Sequence, residues 1–306
     1  MSDVEDSKTI KLQVDHLDLV KVNHRSSYRA ISPLRPELSQ KGRTVLIAGA
    51  SAGVGLSTVK AYAEASAATV ILTGRREDKL HAAASELTKE FQNTKFDVRV
   101  CDVADVAEAS LLWDRLHADG IIVDVLVLSA AKFSGQESIL DSGFEAIWSL
   151  YEANVRSLLL FTEKLYKQDD IRNRIKFIVY VSTAAIHSKS VAAALPGYTL
   201  SKASGHLAMQ KIAGEVDANK LQIITFHPGA ILSESAQNAG MDRNSYPWDE
   251  DNLPGHFAVW AATAEAASLH GRFVWATWDV DELLSGDLRE RIETDPDFLT
   301  IGFVGI

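Results

Sequence analysis

The chain has very little sulfur: of 306 residues, one is cysteine and three are methionine. A lone cysteine, Cys101, excludes an internal disulfide, and its place in an apolar strand pattern reads as a buried small hydrophobe. The nine histidines show no metal-ligand spacing and there is no cysteine cluster, so no metal is expected. Positive charge is also short. Lysines and arginines number 31 against 41 acidic residues, a net charge of −10 that argues against a nucleic-acid surface or an acidic membrane as partner. No apolar run approaches the ~20 residues of a membrane span. The opening Met1-Ser2-Asp3-Val4-Glu5-Asp6 is acidic and polar, unlike a secretory signal. These absences together lead us to expect a soluble, cytoplasmic protein in a reducing compartment.

What is present suits a sizeable core, with 46% hydrophobic and 24% charged residues. Residues 1–41 lack a clear period and carry turn chemistry at Ser32-Pro33 and Arg35-Pro36, which predicts an N-terminal arm that wraps the domain or is partly loose. From Thr44 a strand, glycine turn, helix pattern sets in and repeats. Short apolar runs predict strands at Thr44–Ala48, Thr69–Thr73, Phe96–Cys101, Val123–Leu128, Lys176–Ser182, Gln222–Phe226 and Phe273–Trp275, most of them suited to burial on both faces of a parallel sheet. Helices are predicted at about 54–66, 77–91, 104–118, 141–168, 197–216 and 255–270. This alternation implies a single α/β domain, a doubly wound parallel sheet with right-handed crossovers over residues 42–285, followed by a tail at 286–306.

Two local patterns carry chemistry. Tyr198 and Lys202 stand four residues apart, which on a helix sets an ammonium beside a phenol. A free tyrosine titrates near ~10, and a neighbouring positive charge favours the phenolate, so such a pair suits proton exchange with an alcohol or carbonyl. Alone, Tyr-x-x-x-Lys also reads as an exposed helix pair. It gains weight from Gly49-Ala50-Ser51-Ala52-Gly53-Val54-Gly55, which follows a strand and opens a helix. A turn that tight needs glycine at Gly49, Gly53 and Gly55 to bring backbone close to a pyrophosphate, with Ser51 and Val54 in the same cradle.

The end of the second strand bears on which dinucleotide binds. Thr73-Gly74-Arg75-Arg76 has glycine where an acidic residue would hold the ribose hydroxyls of NAD, and guanidinium groups at Arg75 and Arg76 match a 2′-phosphate in charge and geometry, with Arg75 expected to supply the matching cation. The other reading is that these arginines solvate a helix start. Asp102, with Val103 beside it, follows the third strand as an adenine-side acceptor or as an N-cap of the next helix.

The order glycine turn, Asp102, Asn154, Ser182-Thr183, Tyr198-x-x-x-Lys202 and Pro228-Gly229 resembles the short-chain dehydrogenase/reductase family, over about residues 42–275. That resemblance implies a Rossmann fold binding NADP(H), with Tyr198 as general acid/base and Lys202 lowering its pKa and binding the nicotinamide ribose. It implies that Asn154 holds a water in the proton relay, that Pro228, Gly229 and Ile231 border the nicotinamide, and that a hydroxyl orients the substrate oxygen. Aligned on the strand end, that hydroxyl belongs to Thr183; Ser182 is the reserve, which strand alternation would turn to the other face. Three departures from the family pattern stand out: Ala48 replaces a threonine, the catalytic loop is about two residues longer, and Ser129-Ala130-Ala131-Lys132 puts a bulky cation where a small residue is usual. The N-terminal arm and the segments Gly271-Arg272-Phe273-Val274-Trp275 and Trp278-Asp279-Val280-Asp281 resemble fungal reductases of secondary metabolism.

Residues 230–254, carrying Met241, Tyr246 and Trp248 among polar residues, read as a lid over an apolar substrate or as a surface loop pinned by its aromatics. His187 either contacts substrate or caps a turn, and His227 reads as structural. The expected activity is hydride transfer between NADPH and a ketone or secondary alcohol of a small apolar molecule. The same acid/base set suits an isomerase, epimerase or dehydratase, and a non-catalytic nucleotide-binding protein is a third reading. In the family, helices like those at 141–168 and 197–216 commonly form dimer faces, so a homo-oligomer is expected.

Overall fold

Strand sequences rich in Val, Leu and Ile bury both faces, and here seven of them pair in parallel. They are β1 (Thr44–Ala48), β2 (Thr69–Gly74), β3 (Lys95–Val100), β4 (Val125–Leu128), β5 (Lys176–Val181), β6 (Leu221–His227) and β7 (Phe273–Trp275). Their order is β3-β2-β1-β4-β5-β6-β7, reversing direction of growth between β1 and β4. The computed structural model describes residues 19–170, 172–238 and 241–302. Register is regular, with Val45 opposite both Val70 and Val125, and Leu128 opposite Tyr180.

Helices cover both faces: α1 (Gly53–Glu64), α2 (Glu77–Glu90), α3 (Val106–Ala118), α4 (Ile139–Tyr151), α5 (Ser157–Tyr166), α6 (Lys189–Ala194), α7 (Pro196–Ala213), α8 (Glu234–Asn238), α9 (Asn252–Ala261), α10 (Val280–Leu283) and α11 (Gly286–Thr294). Side-chain alternation splits the core in two. Val45, Ile47, Val70, Leu72, Val125 and Val179 pack beneath α1, α2 and α9, whereas Leu46, Ile71, Leu126, Ile178 and Ile223 pack beneath α3, α5 and α7. Full burial of each such aliphatic side chain contributes about 1.5–3 kcal/mol, which is why the sheet holds its register. Helices α1 and α9 lie close enough that a Cβ on Gly255 would fall 2.7 Å from the Ser57 carbonyl oxygen.

All seven expected strands form, and the expected single helix at 141–168 is interrupted. Between α4 and α5 the backbone widens to a π-helical turn, Glu152–Arg156, and within α4 Gly143 takes φ +78°. The π turn carries Asn154, which is buried. The expected helix at 255–270 stops at Ala261, where the extended backbone of Thr263 hands over to a 3₁₀ turn, Ala264–Leu269.

Of the N-terminal arm, residues 1–18 lie outside the described residues, and the remainder is packed down. Ile31 and Leu38 are fully buried, Tyr28 donates to the Trp278 carbonyl, and His24 pairs with Asp279 at 2.8 Å. At the other end, residues 303–306 lie outside the described residues. The preceding tail is held by the Arg272 guanidinium, which donates to the carbonyls of Ile292, Asp295 and Phe298.

Candidate active site

In a parallel sheet that reverses its order, the crevice lies beyond the carboxyl ends of the strands at the reversal. Here that crevice is a cavity of about 940 Å³, running from the glycine turn after β1 past the ends of β4 and β5 to the segment after β6. Gly49 takes φ +91°, and a Cβ there would meet the Ala130 backbone nitrogen at 2.6 Å. A Cβ on Gly55 would lie 2.0 Å from the Gly49 carbonyl oxygen. The turn is therefore closed to any larger residue at both positions. Helix α1 starts at Gly53 (φ +55°) with no side-chain cap and no acid in its first turn. Its free N–H groups and positive dipole end fit a pyrophosphate, so Gly49, Ser51, Gly53 and Val54 suit the cofactor phosphates.

The two arginines after β2 differ. Arg75 is 76% exposed at its side chain, with Asp102 3.8 Å away. Arg76 turns inward: Nε and Nη2 donate to Ser51 Oγ at 3.1 and 2.8 Å, and Nη1 donates to Glu234 at 2.6 Å. Lys79 also donates to Glu234, at 2.8 Å, and the two cations hold its carboxyl down to about 2, the Lys79 hydrogen bond contributing most. Asp102 accepts from Ala104 N–H and lines the cavity with Val103, while the N-cap of α3 is Asp105. Cys101, one residue past β3, is 1% exposed, and burial pushes its thiol up to about 12.

At the centre, α7 brings Tyr198 and Lys202 onto one face, both buried and both on the cavity wall. The Lys202 ammonium donates to the Val181 carbonyl at 2.7 Å and sits 4.3 Å from the centre of the Tyr180 ring. Burial lowers its pKa to about 7. The Tyr198 phenol is shifted upward by burial, opposed by a hydrogen bond with Thr183. The Lys202 ammonium is directed at Val181 and Tyr180, and burial is the largest influence on the Tyr198 phenol. Thr183 also accepts from Ala185 N–H at 3.2 Å, whereas Ser182 lies beside Tyr180. Thr183 is thus the hydroxyl that meets the phenol.

Asn154 stands just behind the cavity wall. Its Oδ1 accepts from Lys132 N–H at 2.8 Å, and its Nδ2 donates to the Lys132 carbonyl at 2.8 Å and to Ser201 Oγ at 2.9 Å. The amide therefore clips the segment after β4 to α7. Lys132 points its ammonium to Ser149 Oγ at 2.9 Å, which accommodates a cation at this position. Sequence reasoning missed Phe133, which stacks on Tyr198 at 4.5 Å, and Ser134, whose hydroxyl accepts from Tyr198 N–H at 3.0 Å. It also missed Ser201 and Glu234. An aromatic directly after the departing strand end was the available signal for Phe133; nothing local marked Glu234, which reaches Arg76 across 158 positions.

Past β6, Pro228, Gly229 and Ile231 line the same cavity. Gly229 (φ +92°) leaves room for Asp249, whose Oδ2 accepts from Ala230 N–H at 2.7 Å, and Arg25 from the arm donates to Asp249 at 3.1 Å. Residues 230–254 contain α8 and the start of α9 and are not one open loop; residues 239–240 lie outside the described residues. Met241, Tyr246 and Trp248 line the cavity, joined by Leu195 and Phe133. His187 accepts from Trp275 Nε1 at 3.2 Å, and His227 accepts from Ala184 N–H at 3.1 Å. Among the described residues, no group of His, Cys, Asp and Glu could hold a metal ion, and no helix is long and apolar enough to cross a membrane.

Comparison with known proteins agrees with this geometry. Residues 43–244 match the family model described as short chain dehydrogenase. The short chain dehydrogenase/reductase AacuD of Aspergillus aculeatus is 34% identical over 282 residues, spanning 92% of this chain and 95% of that protein. A short chain dehydrogenase/reductase of Claviceps purpurea is 33% identical over 286 residues, spanning 93% of this chain and 94% of its own length. Among solved structures, L-sorbose reductase from Gluconobacter frateurii, complexed with NADPH and L-sorbose, superimposes with a TM-score of 0.69 at 20% identity, covering 78% of this chain and 96% of that one. At that identity the likeness is one of fold.

Proposed function

The chain belongs to the short-chain dehydrogenase/reductase family, and from that premise we propose that it is an NADP(H)-dependent oxidoreductase interconverting a ketone and a secondary alcohol on a small apolar molecule. The observation that carries this reading is one continuous cavity with an anion cradle and Arg76 at one end and Thr183, Tyr198 and Lys202 at its centre. When bound, the cofactor would supply or accept the hydride. The phosphates would be held by the glycine turn and the α1 N-terminus, the 2′-phosphate by Arg76 and Ser51, with Arg75 at the rim. Asp102 and Val103 would face the adenine, Lys202 the nicotinamide ribose, and Pro228, Gly229 and Ile231 the ring.

The protein's own steps follow from the geometry. Thr183 and Tyr198 hydroxyls would both point at the substrate oxygen. Tyr198, kept protonated by burial, donates its proton to the developing alkoxide in the reductive direction. Lys202, one turn further along α7 on the same cavity wall, would supply the proton that resets the phenol. Asn154 holds Lys132 and Ser201 in place, which fixes the segment carrying Phe133 against the phenol. Leu195, Phe133, Met241, Tyr246 and Trp248 make the substrate end largely apolar.

The fungal sources of the relatives support a place in secondary metabolism. The exposed side chains of Leu140, Phe144 and Trp148 on α4 support pairing of copies through the α4 and α7 region. A panel of apolar ketones assayed by NADPH absorbance, with NADH in parallel, tests the reading. Consumption of NADPH with at least one ketone is expected, and binding of cofactor without turnover of any ketone or alcohol counts against it.

A further inference from the structure

Arg76 and Glu234 line the cavity beside Ser51, Lys79 adjoins them, and both cations are already engaged by the Glu234 carboxylate. Glu234 gives one oxygen to Arg76 Nη1 at 2.6 Å and the other to Lys79 Nζ at 2.8 Å. Two oxygens bridging two cations is the arrangement a phosphate monoester would adopt at the same place. Ser51 Oγ, bonded to the other edge of the Arg76 guanidinium, completes it, and bare Gly74 lies alongside, a notional Cβ being 3.8 Å from Ser51 Oγ. The three side chains of the ion-pair cluster are each 40–42% exposed, so water can reach the cluster and ligand exchange is not blocked by burial.

Glu234 is also the first residue of α8, and the residue before it packs on the glycine turn: a Cβ on Gly53 would lie 3.6 Å from Ser233 Cβ. The Glu234 contacts therefore tie α8 to the start of α2 across the mouth of the crevice. We propose that Glu234 determines cofactor specificity by standing in for the 2′-phosphate on Arg76 and Lys79, so that a 2′-phosphate must displace it and, in doing so, unlatches α8. This rests on the NADP(H) reading of the site.

The chemistry favours exchange in one direction only. A phosphate monoester carries about −1.5 to −2 charge near neutral pH and three acceptor oxygens, against one charge and two oxygens for Glu234, so it is the stronger partner for two cations. A 2′-hydroxyl is neutral and leaves the latch closed. Were Glu234 to stay, it would oppose the phosphate as a like charge.

Titration of the intact protein with 2′,5′-ADP and with 5′-AMP, in wild type and Glu234→Gln, tests the proposal, together with amide hydrogen exchange over residues 231–238. Glu234→Gln should tighten 2′,5′-ADP by about three- to tenfold, from loss of two exposed ion pairs, with 5′-AMP moving less than about twofold and the gain shrinking at high salt. In wild type, 2′,5′-ADP but not 5′-AMP should speed exchange in α8, and in Glu234→Gln exchange should be fast before ligand is added. Unchanged or weaker 2′,5′-ADP binding in the variant, or slower α8 exchange with 2′,5′-ADP, would overturn the proposal. A wild type that does not distinguish the two probes would remove the NADP(H) reading and this inference with it. Discrimination unmoved by Glu234→Gln would remove only the role of Glu234.

Discussion

Replacing Lys202 by methionine should remove much of the pH dependence of stability between pH 7 and 9. The lysine is 1% exposed, with the Val181 carbonyl and the Tyr180 ring as its contacts, and burial lowers its pKa from the ordinary 10.5 to about 7. Between those values the unfolded chain binds a proton that the native state does not, so stability rises with pH in this window. At about 1.36 kcal/mol per pH unit, the rise from pH 7 to 9 is on the order of 2–3 kcal/mol. Below pH 7 both states carry the charge and the cost of its burial is fully present. Other buried groups do not spoil the comparison. His206, lowered to about 4, titrates below this window, and Cys101, raised from 9.0 to about 12, begins to lower stability at its upper edge, equally in both proteins. Lys176 is shifted the same way as Lys202 but contributes equally to both proteins. Urea unfolding of wild type and Lys202→Met at pH 7, 8 and 9 reads the difference, and methionine conserves enough volume to keep the core packed. Parallel curves in the two proteins would refute the claim that Lys202 is buried with a depressed pKa.

Three further outcomes are expected. Thr183→Ala should lower turnover sharply and Ser182→Ala mildly, because Thr183 meets the Tyr198 phenol; the reverse ranking in steady-state rates would mean that Ser182 orients the substrate. Gly55→Ala places a Cβ 2.0 Å from the Gly49 carbonyl oxygen, so it should cost about 1–3 kcal/mol in stability and weaken cofactor binding, and a variant with unaltered melting and affinity would show that the turn is not tight. Arg76→Ala should weaken 2′,5′-ADP binding more than Arg75→Ala, since Arg76 reaches Ser51 while Arg75 is 76% exposed; calorimetry with equal losses would place both at the phosphate.

Much of the fold was legible because its strands are short runs of Val, Leu and Ile, a pattern that burial on both faces imposes directly on sequence. The glycine turn and the Tyr198/Lys202 pair were legible for the same reason: a close approach of backbone and an i, i+4 pair are local constraints. What escaped was set by distance. The break at Glu152–Arg156 leaves no glycine or proline behind, so the run from 141 to 168 reads as one helix. The Lys202 charge goes to a carbonyl on β5 and a ring beneath it, 21 and 22 positions earlier, and no local pattern announces that the phenol is governed by burial. Arg75 and Arg76 are equivalent as letters; only the turn into α2 decides which faces Ser51.

The central claim is that Tyr198 passes the proton for a hydride transfer from NADPH. Its most direct test is a single turnover with NADPH deuterated at the transferred position, in wild type and Tyr198→Phe, on a ketone drawn from the apolar panel. The account predicts deuterium on the carbinol carbon of the product in wild type, with Tyr198→Phe slower by ~10²–10⁴-fold yet binding cofactor nearly as well. Deuterium retained in the cofactor while substrate is converted, or a variant that keeps more than about a tenth of the wild-type rate, would contradict it.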